Sequence, residues 1–194
     1  MVHSRKVFRE LIRQKRNLLR PNEQKVAERA ICEQFFSLPE VLEAEHIAIY
    51  LSNDGEINTA AIISRLWTKG VNVYLPVLHP FSSGHLLFLH YLPNTPMKKN
   101  VFGISEPVLD KRLIAPVTQL DILCTPLVAF DRSGNRLGMG GGFYDRTLEP
   151  WFKSKINPKP IGLAHSCQYV DELPTEEWDI PLPKVITPDR IWSW

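Results

Sequence analysis

Apolar residues recur near every third or fourth position over 4–19, at Val7, Phe8, Leu11, Ile12, Leu18 and Leu19, with Arg5, Arg9, Arg13 and Arg16 on another stripe. That period predicts an amphipathic helix. Pro21 opens a second helix, where its missing N–H costs little. This helix carries Val26, Ala30, Ile31 and Phe35 and ends before Pro39. The texture then changes. Ile47 to Leu51 is a short continuous apolar run, and Val71 to Leu75 is another strand-like segment. Between them Ile62, Ile63 and Leu66 predict a helix over 59–67, with Gly70 as its C-terminal cap. Strand, helix and strand in about 30 residues make a βαβ unit and a parallel sheet.

His85 to Tyr91 reads as a strand pairing antiparallel with a neighbour. The apolar segment 120–130 is interrupted at Thr125-Pro126. Proline cannot donate to a central ladder, so one strand ends there and a second short extended piece follows. Phe143 to Phe152 reads as a helix, Ile161 to Ala164 as a buried strand and Val185 to Thr187 as a last short one. The pattern predicts a three-layer α/β fold: a mostly parallel, Rossmann-like sheet with helices on both faces and a helical N-terminal extension. One domain spanning 1–194 is expected.

The 194 residues include 44% hydrophobic and 23% charged side chains, ordinary for a globular chain and too apolar for a disordered one. No apolar run reaches the 18 or so residues of a membrane span. The start, Met1-Val2-His3-Ser4-Arg5-Lys6, shows no apolar h-region, so no secretory signal is expected. Cys32, Cys124 and Cys167 lack CxxC spacing, which predicts reduced thiols, a cytoplasmic location and no zinc ribbon. His79, His85 and His90 lack the spacing of a zinc motif, and a Cys–His pair of His165 and Cys167 is conceivable on alternate positions of one strand.

Charge is uneven. Residues 1–29 hold nine basic and three acidic side chains, a net +6; the remainder holds 14 basic and 18 acidic, a net −4. A basic head meets nucleic acid, a membrane surface or a phosphate ligand, or is simply a solvated helix face. The acidic body and the lack of a basic-aromatic platform exclude a nucleic-acid module from the expected partners.

The most informative stretch is Arg136-Leu137-Gly138-Met139-Gly140-Gly141-Gly142-Phe143-Tyr144-Asp145-Arg146. Four glycines in five positions allow positive φ and converging N–H groups, and a nest followed by a helix N-terminus binds anions. Arg136 and Arg146 flank it. Asp145, in the first helical turn, either complements the helix dipole or binds Mg²⁺ carried by a nucleotide phosphate. The stretch is neither a Walker P-loop nor a dinucleotide fingerprint, since Phe143 stands where a third glycine is needed. A tight strand-to-helix crossing is the plain structural alternative.

This stretch, with TPLVAFDRSGN before it, resembles the signature of the 5-formyltetrahydrofolate cyclo-ligase (5,10-methenyltetrahydrofolate synthetase) family. The similarity also covers Arg5-x-x-Phe8-Arg9, Leu51-Ser52-x-x-Gly55-Glu56, Tyr74-Leu75-Pro76, Phe102-Gly103-Ile104-x-Glu106-Pro107 and Trp178-Asp179-Ile180-Pro181. The resemblance implies an enzyme that couples ATP hydrolysis to closing 5-formyltetrahydrofolate into 5,10-methenyltetrahydrofolate through a phosphorylated formyl intermediate.

By the same resemblance, Arg5, Arg9 and the run Arg136, Leu137, Gly138, Met139, Gly140, Gly141, Gly142, Phe143 and Tyr144 hold ATP. Tyr144, Arg136 and Asp145 act in catalysis, and Asp145 and Asp179 ligate Mg²⁺. Leu51, Glu56 and Phe102 contact the folate, the carboxylate facing the N–H edge of the pterin and the ring stacking on it. The implied partners are 5-formyltetrahydrofolate and ATP, with no nucleic acid and no membrane, and the protein is expected to be a monomer. Relatives often carry Arg at Met139 and some carry Lys at Gly141, so Arg146, Arg9 or Lys6 is expected to compensate. Arg20 replaces a Ser or Thr before the second helix, which weakens that cap by roughly 1 kcal/mol. Arg136→Ala and Asp145→Ala are expected to lower turnover far more than stability. The alternative reading is another phosphate-binding α/β enzyme, of sugar-phosphate isomerase or CoA-handling type.

Overall fold

The computed structural model describes residues 4–194; Met1, Val2 and His3, the start of the stretch in which no secretory signal is expected, lie outside them. In chain order the elements are α1 (Arg5–Asn17), α2 (Pro21–Phe36), α3 (Pro39–Glu43), β1 (His46–Ala48), α4 (Ala60–Thr68), β2 (Asn72–Leu78), β3 (Leu86–His90), β4 (Met97–Lys99), β5 (Ser105–Pro107), β6 (Ile114–Ala115), β7 (Ile122–Thr125), β8 (Ala129–Phe130), β9 (Arg136–Leu137), α5 (Phe143–Ser154), β10 (Lys159–Leu163), β11 (Lys184–Ile186) and β12 (Ile191–Ser193).

Eight strands form the main sheet in the order β12-β11-β10-β7-β1-β2-β3-β6. The five from β11 to β2 are mutually parallel, and β12, β3 and β6 add antiparallel edges. The predicted βαβ unit is present as β1, α4 and β2, with His46 opposite Asn72. Alternation along each strand sorts the core into two layers. Ile47, Ile49, Val73, Leu75, Ile122 and Cys124 pack against α2, α3 and α4. Ala48, Tyr74 and Leu123 face the other way, toward Leu148 and Trp151 of α5.

From β1 the chain moves to β2 on one side, and from β7 to β10 and β11 on the other. A crevice therefore opens at the carboxyl ends of β1 and β7, where such sheets bind ligands. Pro76 sits in a central strand without breaking it. Backbone groups of Tyr74 and Leu78 point to the β1 side, Tyr74 O accepting from Ile49 N and Leu78 N reaching Glu106 Oε2. β1 has already ended at Ala48, so the donor missing at Pro76 faces the crevice.

Helix α1 reverses the expected orientation. It buries Ile12 and Arg16, while Val7, Leu11 and Leu18 stay exposed, Leu18 to 80%. Ile12 docks with Val128, Ala129, Leu137 and Leu173, and the arginine stripe turns inward. The solvated-face reading fails because these cations have carboxylate and carbonyl partners inside. The Arg20 cap is compensated by Glu23, whose Oε2 accepts from Arg20 N at 2.7 Å.

The glycine-rich stretch connects a strand to a helix, but the strand is β9 and not the one that ends at Phe130. Residues 131–135 make the turn of a β8–β9 hairpin, Asp131 Oδ1 accepting from the N–H groups of Ser133 (2.9 Å) and Asn135 (3.1 Å). Arg136 and Leu137 are thus strand residues, and the glycines follow the second strand.

Candidate active site

A cleft of about 1010 Å³ lies at the carboxyl ends of β1, β2 and β7. Its floor is Tyr50, Leu51, Leu75, Pro76, Pro126 and Leu127; its walls come from α1, the glycine-rich loop, the β4–β5 hairpin and the 176–179 turn. Of the predicted residues, Arg5, Arg9, Leu51, Glu56, Phe102, Arg136, Asp179 and all of 138–145 line it. Leu137 does not. Its side chain faces the opposite way on β9 and is buried with Ile12 and Val128, so it has no side-chain contact to offer a nucleotide.

The loop enters α5 through Gly142, whose φ of +66° is left-handed. Gly142 to Asp145, at the start of α5, line the cleft, and the first N–H groups of a helix lack intrahelical partners, so an anion there would find donors. Arg9 Nε donates to Gly138 O at 2.8 Å, and its guanidinium lies over Gly140. Arg146 turns away from the cleft, Nη1 donating to Gly141 O (2.9 Å) and Gly84 O (3.2 Å), so it clasps the loop to the β2–β3 hairpin. Lys6 is exposed beside Glu10. Among the three expected compensating cations, Arg9 is the one that lies on the loop inside the cleft.

Two ion pairs organise this wall. Arg136 is buried, its side chain 2% exposed, and Nη2 donates to Asp145 Oδ1 at 2.6 Å. Asp145 Oδ1 also accepts from Ile180 N at 3.3 Å. Arg136 Nε is buried without a hydrogen-bond partner among the described residues. Arg5 engages Asp179 through both guanidinium nitrogens, Nη2 to Oδ1 at 2.9 Å. Burial pushes the Asp179 carboxyl up, but the Arg5 bond and the Glu176 N–H bond outweigh it and hold it below its ordinary value. The two expected metal ligands are thus paired with two expected ATP-binding arginines.

No group of three or more His, Cys, Asp or Glu among the described residues is arranged to hold a metal. Two carboxylates beside an anion loop fit a Mg²⁺ that takes its other ligands from phosphate oxygens. The three histidines are used separately: His79 Nδ1 accepts from Phe81 N and Ser82 N, His85 Nδ1 lies 3.2 Å from Ser83 O, and His90, on β3, packs against the Tyr74 ring.

Elsewhere in the cleft, Glu56 sits at the end of a tight turn, with Oε2 accepting from Asn53 N at 3.0 Å. Desolvation raises its carboxyl to about 7, against the lowering effects of the Asn53 N–H and the Arg16 charge. Phe102, 62% exposed, meets Phe143 edge-on at 6.2 Å between ring centroids. Burial pushes the Tyr144 hydroxyl far above its ordinary value, so it is a donor rather than a base. Burial also raises the Cys167 thiol and lowers His165 to about 4. Those shifts oppose an activated thiolate–imidazolium pair.

Sequence reasoning missed Arg13, Arg16, Asp54, Glu106 and Asn100. Glu106 is buried and accepts from Leu78 N and Asn100 Nδ2, both at 3.2 Å. Asn100 Oδ1 in turn holds the N–H groups of Phe102 (2.9 Å) and Ile104 (3.1 Å), fixing the loop that presents the ring. An Asn at 100 with a Gly three positions on, at 103, is the sequence signal for that turn.

A family model described as the 5-formyltetrahydrofolate cyclo-ligase family matches residues 1–188. The Escherichia coli K12 protein named 5-formyltetrahydrofolate cyclo-ligase is 51% identical over 184 residues, 95% of this chain and 100% of its own. Its Haemophilus influenzae namesake is 54% identical over 178 residues, 92% of this chain and 94% of its own. Among solved structures, Aquifex aeolicus 5,10-methenyltetrahydrofolate synthetase superposes with a TM-score of 0.82 at 26% identity, covering 97% of this chain and 92% of that one.

Proposed function

The chain belongs to the 5-formyltetrahydrofolate cyclo-ligase family, and we propose that residues 1–194 act as one catalytic domain, a ligase of one-carbon metabolism. It converts 5-formyltetrahydrofolate and ATP into 5,10-methenyltetrahydrofolate, ADP and phosphate. The observation that carries this reading is one cleft lined both by a cationic glycine-rich loop and by a half-buried carboxylate with an aromatic ring at the mouth.

A formyl amide oxygen is a poor leaving group. In the proposed reaction it attacks the γ-phosphorus, the bond to ADP breaks, and an iminium phosphate forms. N10 then attacks the formyl carbon and loses its proton, and the C–O bond breaks with release of phosphate. The protein's part is positioning and charge neutralisation. Arg5, Arg9, Arg136, the 138–142 backbone and the N-terminus of α5 take the triphosphate. Tyr144, kept protonated by burial, donates a hydrogen bond to the transferring group. Leu51, Glu56 and Phe102 seat the pterin.

Asp145 and Asp179 would hold Mg²⁺ brought by the nucleotide, which supplies neutralisation of the phosphate oxygens. Arg5 and Arg136 would then pass from carboxylate to phosphate. The inward arginine stripe favours a small polyanion over a nucleic-acid or membrane surface. The unpaired cysteines support a cytoplasmic setting, and a monomer is the proposed working unit. No helix among the described residues is long and apolar enough to cross a membrane.

The test is one spectrophotometric assay. Purified protein with Mg-ATP and 5-formyltetrahydrofolate is followed for the near-ultraviolet band of the methenyl product. The band is expected only when nucleotide and Mg²⁺ are both present. A flat trace from folded protein would remove this reading.

A further inference from the structure

The two arginines of α1 that the phosphate reading does not use, Arg13 and Arg16, converge on one residue. Asp54 Oδ2 accepts from Arg13 Nε at 2.6 Å and from Arg16 Nη2 at 2.9 Å, and its Oδ1 accepts from Asn17 Nδ2 at 3.2 Å. Its backbone carbonyl accepts from Arg16 Nε at 2.7 Å. All three donors belong to α1. Arg16 is 0% exposed, and Asp54 is its ion-pair partner among the described residues. A pair drawn this far inside is poor evidence for stability and better evidence for placement.

What Asp54 places is the turn that ends in Glu56. The turn is closed by Glu56 N donating to Asn53 O and by Asn53 N donating to Glu56 Oε2, both at 3.0 Å. Two successive residues in it are left-handed, Asp54 at φ +49° and Gly55 at φ +72°. Asp adopts the first more readily than most residues with a side chain. The second suits glycine, and Gly55 packs closely on α1: a Cβ there would lie 2.2 Å from Asn17 Oδ1 and displace that side chain. Asp-Gly gives the turn its shape, and the bonds from α1 to Asp54 fix where that turn sits against the cleft, while Glu56 Oε1 makes no hydrogen bond among the described residues.

We propose that Asp54 is a positioning residue for the folate substrate: pinned by Arg13, Arg16 and Asn17, it sets the turn that aims the Glu56 carboxylate into the cleft. The inference rests on the folate reading of this site and deepens it. The same helix reaches the nucleotide loop through Arg9 and the 176–179 turn through Arg5, and Arg9 and Arg16 stand about 10 Å apart along its axis. One rigid element therefore spaces the two halves of the cleft.

Steady-state kinetics of Arg13→Gln, Asp54→Asn and Asp54→Ala, with melting temperatures, test it. Arg13 is 42% exposed, so its replacement leaves no buried charge and the protein stays folded. The expected result is a KM for 5-formyltetrahydrofolate raised about threefold by Arg13→Gln and about tenfold or more by Asp54→Ala. The KM for ATP stays within about twofold. Asp54→Asn, which keeps an acceptor and tolerates the left-handed backbone, recovers part of the loss.

Unchanged folate KM in folded Arg13→Gln and Asp54→Asn overturns the inference, and so does a parallel rise in both KM values. If Asp54→Ala does not fold, the other two variants decide. A wild-type protein without turnover would instead remove the functional reading, and the inference with it.

Discussion

Arg5 and Asp179, 174 positions apart, share a two-point ion pair that joins the first helix to the last turn of the cleft. Each is proposed to have a different task, phosphate for one and Mg²⁺ for the other, and on that proposal the free protein holds both in reserve. Asp179→Asn releases the guanidinium and removes a carboxylate that repels nucleotide lacking its metal. The variant is expected to bind metal-free ATP about tenfold more tightly, or about 1.4 kcal/mol, while losing most of its stimulation by Mg²⁺. Titration calorimetry with and without chelator measures both, and unchanged affinity in chelator would refute the reserve.

Arg136 was expected to be an expendable loop residue as far as stability goes, and its burial changes that expectation. Removing one partner of a buried pair leaves the other uncompensated, a loss of about 3 kcal/mol or more. Arg136→Ala is therefore expected to lower the melting temperature by roughly 6 °C or more as well as abolishing turnover. Arg136→Lys keeps the charge and should recover most of the stability but little activity, because the planar fork is lost. Thermal unfolding beside kinetics separates the two, and a wild-type melting temperature in Arg136→Ala would contradict the burial argument.

Glu56 is proposed to accept hydrogen bonds as an anion, and desolvation holds its carboxyl at about 7. Below that pH the free protein increasingly carries the protonated, neutral form, which has lost acceptor capacity. The kcat/KM for 5-formyltetrahydrofolate should therefore fall about tenfold per pH unit on the acid side of about 7 and level off above it. Glu56→Gln should be slower throughout and lack that limb. An acid limb that survives in Glu56→Gln belongs to another group.

Tyr144 carries a hydroxyl that stays protonated across the working range. Tyr144→Phe keeps the ring, which packs on the α5-side core, and removes the donor. The expected outcome is a kcat lowered by roughly tenfold to a hundredfold, with the melting temperature shifted by no more than about 2 °C. Wild-type kcat would show that the ring alone matters.

The βαβ unit and the antiparallel β3 could be read in advance because burial on both faces, or alternation against a neighbour, marks the chain directly. β4, with Met97, Lys98 and Lys99 all exposed, carries no such mark; its pairing with β5 comes from the turn that Asn100 and Glu106 build. The site was legible where backbone chemistry writes itself into composition, as in the glycines at 138 and 140–142. It was illegible at Asp54 and Arg16. An arginine stripe on a helix reads as solvated unless the carboxylate that draws it inward is known, and here that carboxylate is 38 positions away. Leu137 illustrates the converse, since one residue of a contiguous motif points away from its neighbours once the segment is a strand.

The Arg146 clasp fastens two surface loops with one side chain. Gly84 and Gly141 both give their carbonyls to it, and a Cβ on Gly84 would lie 2.5 Å from the guanidinium. Loops usually diverge freely in length and composition as lineages separate. These two cannot do so independently. An insertion at the hairpin tip, far from any ligand in sequence, would carry Gly84 out of reach and act as a lesion in the nucleotide loop, so hairpin length and loop sequence are expected to drift together or not at all.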